Sequence, residues 1–139
     1  MTLIEHIKSL VEANCPDYHF EYESERMMNE RADDVPFPCV FFEEYTDGKA
    51  TQARFGWKEQ TLVELSFMKL SEFQSNAIER ESIRQDIKDH AVFPFLSALQ
   101  SSEILDPITD ITIVPEPPRF DANCVSVLVR FYAIRRICL

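Results

Sequence analysis

The chain has 139 residues, the size of one domain, and 45% of them are hydrophobic, which is ample for a core. Its only two glycines, Gly48 and Gly56, exclude the glycine-rich loops that bind nucleotide phosphates. The formal net charge is −10, and residues 1–50 hold 12 acids against 4 bases, so we expect no direct binding to nucleic acid or to an anionic membrane.

The four cysteines lie far apart and form no C-x-x-C pair. We therefore expect buried, reduced thiols in a cytoplasmic protein and no zinc site. The first ten residues, MTLIEHIKSL, carry an early acid and lack the basic and long apolar regions of a signal peptide. No run approaches the roughly 20 apolar residues that span a bilayer.

The first elements follow from capping and periodicity. Thr2 and Glu5 form a capping box, and apolar residues at three- and four-residue spacing predict a helix over about 3–13. Residues 18–25, YHFEYESE, alternate between apolar and polar, which predicts a half-buried strand. The following RMMNERADD has no periodicity and is predicted to be a polar connection.

The next segment, residues 33–48, reads DDVPFPCVFFEEYTDG. Its two prolines lack N–H donors, so strand pairing is predicted to begin at Cys39 and to continue to about Thr46. Glu43 and Glu44 are adjacent on that strand and point to opposite faces, so they cannot act as an acid/base pair. A returning strand is predicted over 60–70, with a protruding loop or ribbon at about 47–59 between the two.

Residues 75–100 are predicted to form a long helix, capped by Ser75 or Asn76, with a kink or break near 90–93 because Pro94 removes one helical hydrogen bond. Residues 108–114 are predicted to be a short strand and 115–121 an exposed turn. The end of the chain has the longest apolar alternation and is placed in the sheet interior. Residues 1–139 are thus a single α+β domain: one mostly antiparallel sheet of about 4–6 strands, with a short N-terminal helix and one long helix packed on one face.

No cluster of reactive residues is apparent. His6, His19 and His90 lie in no H-E-x-x-H motif, and a Cys/His nucleophile has no local support. Asp86 and His90 are four residues apart, a spacing that could hold a metal but is also that of an ordinary helical surface pair. We expect no catalytic residues, no metal and no cofactor, and the chain is predicted not to be an enzyme.

The stretch ARFGWKE, residues 53–59, places aromatic and basic side chains in a segment expected to protrude. Aromatic residues and arginine are typical anchors of protein interfaces. The alternative is that Trp57 folds back to cover the sheet. Two arginines near the end of the chain are expected to pair with acids of a neighbouring strand or a neighbouring subunit. The candidate interface residues are Arg54, Phe55, Trp57, Lys58, Arg135 and Arg136.

The order of elements resembles that of the tail terminator, or tail completion, proteins of long-tailed bacteriophages. The resemblance comprises IEHIKSLVEA, the proline-led PFPCVFFEEY, the ribbon leading into TLVELSFMKL, the charged NAIERESIRQDIKDH and the closing VSVLVRFYAI. It implies a homohexameric ring that caps the tail tube, stops tube growth and joins the tube to the head connector protein. It also implies ring or tube contacts for the ribbon, and a location in the bacterial host cytoplasm during assembly and in the virion tail afterwards.

A second hypothesis comes from the concentration of acids in residues 1–50. It describes an acidic cytoplasmic adaptor or inhibitor module that masks a basic protein partner, with an affinity that falls steeply with salt. A third, an enzyme whose site is assembled across the fold, would need a deep pocket that joins His19 or His90 to carboxylates.

Overall fold

The computed structural model describes residues 2–31, 34–44, 47–71, 76–116 and 123–138. The fold is α+β, with a mostly antiparallel, six-stranded sheet. The helices are α1 Leu3–Asn14, α2 Glu25–Arg31, α3 Ala77–Ile87 and α4 Phe93–Gln100, with a π-helical turn at Lys88–Val92 between the last two. The strands are β1 His19–Glu23, β2 Cys39–Glu43, β3 Gly48–Ala53, β4 Gly56–Leu70, β5 Thr112–Glu116 and β6 Cys124–Cys138.

The two longest strands of the sheet, β4 and β6, have 15 residues each. β4 and β6 pair along their whole lengths, from Gly56 opposite Cys138 to Leu70 opposite Cys124. β2 and β3 both pair with the other side of β4, β2 at residues 65–68 and β3 at residues 56–61. β1 pairs in parallel with β2, and β5 pairs with residues 126–130 of β6, which gives the order β1-β2-β4-β6-β5.

The main core lies between one face of the sheet and the helices α1, α3 and α4. Strand alternation directs every second residue of β4 and β6 to this face, so that Val63 lies opposite Phe131 and Leu65 opposite Val129. Burial of each such side chain contributes about 1.5–3 kcal/mol. The buried helical residues in this core are Leu3, Ile7, Val11, Ile87, Ala91, Val92, Phe95, Leu96 and Leu99.

The long helical segment is interrupted where the sequence predicts it. The N–H of Phe93 donates to the carbonyl of Lys88, five residues back, in the π-turn. Pro94 follows at once, and its ring lacks an N–H and would crowd the carbonyl four residues before it, so the wider turn accommodates it. The start of α3 also follows the prediction, because Asn76 and Glu79 form a reciprocal capping box; Ser75 lies outside the described residues.

The opposite face of the sheet carries a smaller core that the sequence did not reveal. The segment predicted to be a polar connection contains α2, whose Met28 is fully buried with Cys39, Phe41 and Met68. α2 therefore covers the face turned away from the other helices. Its single buried methionine gives no helical period, which is why the prediction failed.

Strand limits also differ from those expected. β2 ends at Glu43, and the predicted end near Thr46 lies outside the described residues. β4 begins at Gly56 rather than at residue 60, because it also pairs with β3. β5 occupies Thr112–Glu116 rather than 108–114. Most of the predicted turn at 115–121 lies outside the described residues.

Candidate interaction surface

Past the core, three strand segments continue as what we call the three-stranded ribbon: β3, residues 56–61 of β4 and residues 133–138 of β6. The core cluster ends at Val63 on β4 and Ala133 on β6. β3, with the sequence GKATQA, is exposed along nearly its whole length because it has no apolar side to bury. Pairing of its backbone with β4 therefore holds it in place.

The ribbon ends in a two-residue turn, Arg54-Phe55, between the paired residues Ala53 and Gly56. Gly56 has φ +148°, and a Cβ there would lie 1.9 Å from the carbonyl oxygen of Ile137, so only glycine fits. Phe55 is 71% exposed. The Cζ of Arg54 lies 5.2 Å from the centroid of its ring, within the range of a cation–π contact. The turn therefore presents an aromatic ring and a guanidinium together.

The position of Trp57 lies between the two alternatives drawn from the sequence, an exposed interface anchor and a side chain folded back to cover the sheet. By alternation it is on the same face as the core residues of β4, with Ile137 and Gln52 as its neighbours across the ribbon. It nevertheless remains 42% exposed because the core ends before it. The side chain is thus partly supported by the ribbon and partly available to a partner.

Lys58 lies on the other face of the ribbon, directly opposite Arg136. Like charges in this position repel each other. Arg136 turns to Asp106, to which its Nε donates at 2.8 Å, and this carboxylate raises the pKa of Arg136. The candidate interface residues predicted from the sequence include Lys58 but not Lys49, which is exposed on β3. Lys49 was missed because β3 carries no apolar period that would have revealed a strand.

Arg135 pairs across the ribbon, on the face of Trp57. Its NH2 group donates to Oε1 of Glu59 at 2.9 Å, so the acid is on a neighbouring strand of the same chain. The Nε atom of Arg135 is buried and has no hydrogen-bond partner. Glu59 and Arg135 line one wall of an open groove of about 800 Å³, and the first turn of α1, with Thr2 and Leu3, lines the other.

A second cluster of charged residues joins the helices to the sheet. Nζ of Lys69 on β4 lies 2.6 Å from Oδ2 of Asp86, and Nδ1 of His90 lies 3.0 Å from Oδ1. The hydrogen bond from Lys69 is the main reason why the pKa of Asp86 is below its usual value. The sequence identified Asp86 and His90 but missed Lys69, which is distant in the chain. This cluster borders a pocket of about 240 Å³ that Cys15 and Tyr18 also line.

The pocket shows no activated nucleophile. The Cys15 thiol donates to the carbonyl oxygen of Ala91 at 3.3 Å, and burial raises its pKa to about 11, which keeps it protonated at neutral pH. Burial also raises the pKa of Tyr18. Within the described residues, no group of three or more His, Cys, Asp or Glu side chains could hold a metal ion. The arrangement ties α3 to β4.

The remaining histidines and cysteines have local roles. Nε2 of His6 is 2.7 Å from the Ser102 hydroxyl, and burial lowers the pKa of His6. His19 lies 2.7 Å from the Glu21 carboxylate. Three of the four cysteines are buried as expected, whereas the expectation is wrong for Cys138, which is exposed near the end of the ribbon.

In the described ranges, no helix is both long enough and apolar enough to cross a membrane. Comparison of the chain with protein-family models and with curated proteins gives no match to either.

Proposed function

We propose that this chain is a structural protein, and not an enzyme, that assembles with copies of itself into a ring, as the tail terminator proteins of long-tailed bacteriophages do. The observation that carries the proposal is the end of the three-stranded ribbon. There Phe55 in the turn and Trp57 on β4 are 71% and 42% exposed, past the end of the core. Exposed aromatic residues beside arginine are the usual anchors of protein interfaces.

The ribbon also offers backbone for assembly. Within the described residues, β3 pairs with β4 only, so its outer edge is unpaired. On the other side, residues 136–138 of β6 pair with β4 and with no other described strand. A free strand edge accepts a strand from another chain, and natural monomers avoid leaving such edges open. Pairing of an open ribbon edge with a different strand edge of the next copy would be a head-to-tail contact, the kind that closes into rings.

In this proposal the ring caps the end of the tail tube, stops its growth and provides a surface for the head–tail connector protein. Its partners are copies of itself, with a hexamer as the expected size, the tail tube protein and the connector. No cofactor takes part. The ring assembles in the bacterial host cytoplasm and remains in the virion tail.

Sedimentation velocity over a wide range of protein concentration tests the self-assembly. We expect a discrete oligomer for the parent chain and a Kd increased at least ~30-fold by the double change Phe55→Ala and Trp57→Ala, since one hot-spot residue contributes about 2 kcal/mol. The matched control is Ile78→Ala with Phe93→Ala, which removes two exposed apolar side chains outside the ribbon and should leave the oligomer intact. Equal effects of both pairs would contradict the role of the ribbon.

The capping function needs a separate experiment with assembled tail tubes. Electron microscopy should show the parent protein bound at one end of each tube and no further growth from that end. A parent chain that stays monomeric and leaves tubes bare would refute the proposal. Salt-sensitive binding of that monomer to a basic protein would instead support the acidic adaptor or inhibitor module.

A further inference from the structure

The charge of the molecule is divided between two regions. The three-stranded ribbon and its Arg54-Phe55 turn together hold five bases against one acid, a net +4 in a chain of net −10, so all other residues together carry −14. The bases are Lys49, Arg54, Lys58, Arg135 and Arg136. Two of them, Lys49 and Arg54, are exposed, and Arg54 is at the tip. The ribbon is therefore a basic projection from an acidic body.

Along the chain, the acids of the body are most concentrated in the segment that contains β1, α2 and β2. Residues 17–44 hold nine acids against two bases. Glu23 on β1 is in register with Glu43 on β2, and the N–H of Glu44 donates to the carbonyl of Glu23 at 2.9 Å. Glu25 begins α2 directly after β1. We call Glu23, Glu25, Glu43 and Glu44 the acidic corner.

The tip of the ribbon, with Arg54, cannot reach the acidic corner of its own chain. Glu43 follows Phe42, which pairs with Leu65 of β4, so Glu43 lies about eight residues along β4 from Gly56, where the tip turn ends, whereas Lys49, opposite Gln60, is nearer to the corner. A separation of eight strand residues corresponds to roughly 26 Å along a continuous strand. The tip turn and the acidic corner are thus held apart, and among the described strands β1 is an edge strand that pairs with β2 only.

We propose that the basic ribbon of one copy docks on the acidic corner of a second copy of this chain. This inference rests on the proposed ring and names the two surfaces that meet in it. Because the surfaces differ, the contact is head-to-tail, which is the kind that closes into rings. It also offsets the mutual repulsion expected between bodies of net −14. Nucleic acid is the competing occupant of a basic ribbon, and the acidic corner favours a second copy because it supplies the complementary charge.

Charge reversal on each surface tests the docking. The ribbon variant carries Lys49→Glu and Arg54→Glu, and the corner variant carries Glu25→Lys and Glu44→Lys. All four side chains are exposed, so the fold should persist. The control variant, Lys8→Glu with Lys88→Glu, has the same net charge as the ribbon variant but changes the helical layer. Sedimentation at low and high salt gives each Kd.

We expect each variant alone to associate at least ~10-fold more weakly than the parent at low salt, with the difference shrinking as salt screens the charges. An equimolar mixture of the ribbon and corner variants should regain the parent affinity, because each ribbon then meets a corner of opposite charge. A chain with all four substitutions should regain it as well. The control should match the parent.

The outcomes separate this inference from the proposed ring. A parent oligomer that neither variant weakens would overturn the docking and leave the ring standing. Loss in both variants without recovery in the mixture would also overturn it, since the two surfaces would then not be partners. A parent that stays monomeric throughout overturns both. Binding of a fluorescent DNA duplex, abolished by the ribbon variant alone, would assign the ribbon to nucleic acid instead.

Discussion

Replacement of Gly56 by alanine should destabilise the protein by about 2–6 kcal/mol. The added Cβ would stand 1.9 Å from the carbonyl oxygen of Ile137, about 1.1 Å inside the 3.0 Å limit that real Cβ contacts respect. The backbone there has φ +148°, which side-chain-bearing residues rarely adopt. Such strain contributes about 1–3 kcal/mol, and overpacking a similar amount. The start of β4 and the end of β6 would have to separate.

Gly48→Ala is the matched control in the same hairpin. Its Cβ would lie 3.7 Å from the carbonyl oxygen of Gln60, an ordinary contact. This variant should equal the parent or exceed its stability by about 0.4–1 kcal/mol, because alanine restricts the unfolded chain more than glycine does. Urea unfolding of both variants gives the free energies, and hydrogen exchange at the β3 amides locates the change. Equal free energies of unfolding for the two variants would refute the argument from close approach.

Three further results are expected. Phe95→Ala should lower the free energy of unfolding by about 3–5 kcal/mol, because Phe95 is fully buried. Phe93 on the same helix is 48% exposed, so Phe93→Ala should change the free energy of unfolding little. Equal losses for the two variants in urea unfolding would contradict the assigned helix face. Asp86→Asn should flatten the acid limb of the stability profile. The folded pKa of Asp86 is lowered, chiefly by Lys69, so its contribution is present above its usual value of 3.8 and is lost as the pH falls below it; parallel profiles for parent and variant would contradict this. A maleimide should modify Cys138 rapidly in the folded protein and the other three cysteines only after unfolding, and mass spectrometry that finds rapid modification elsewhere would oppose the burial of those thiols.

The parts of the fold that bury alternating or helical apolar rows could be predicted. The end of the chain has such a row, and β6 indeed lies inside the sheet, between β4 and β5. Pro94 predicted an interruption of the long helix, because proline removes a donor wherever it lies. α2 and β3 left no comparable signal. One is held by a single buried methionine, and the other by backbone hydrogen bonds, which every sequence can make.

The candidate surface was predicted in composition and not in arrangement. The aromatic and basic residues at positions 53–59 predicted an interface, and the structure brings Arg135 and Arg136 to the same ribbon. Their pairing with Glu59 and Asp106 depends on the register of β4 and β6 and on the path after α4, which no local pattern encodes. The opposition between a basic ribbon and an acidic edge strand likewise becomes visible only when strand order is known.

The π-turn has a consequence for the rotation of the helix that follows it. Ile83, Ile87, Ala91, Phe95 and Leu99 recur every four residues, and all pack into the main core. In a continuous α-helix each such step drifts by ~40° around the axis, which would carry Leu99 about 160° away from Ile83. The additional residue in the π-turn resets that drift by roughly 100°, so α3 and α4 present one row to the sheet. Substitution of the exposed Asp89 should therefore be tolerated far better than the loss of one residue from segment 88–92, which would rotate Phe95 out of the core.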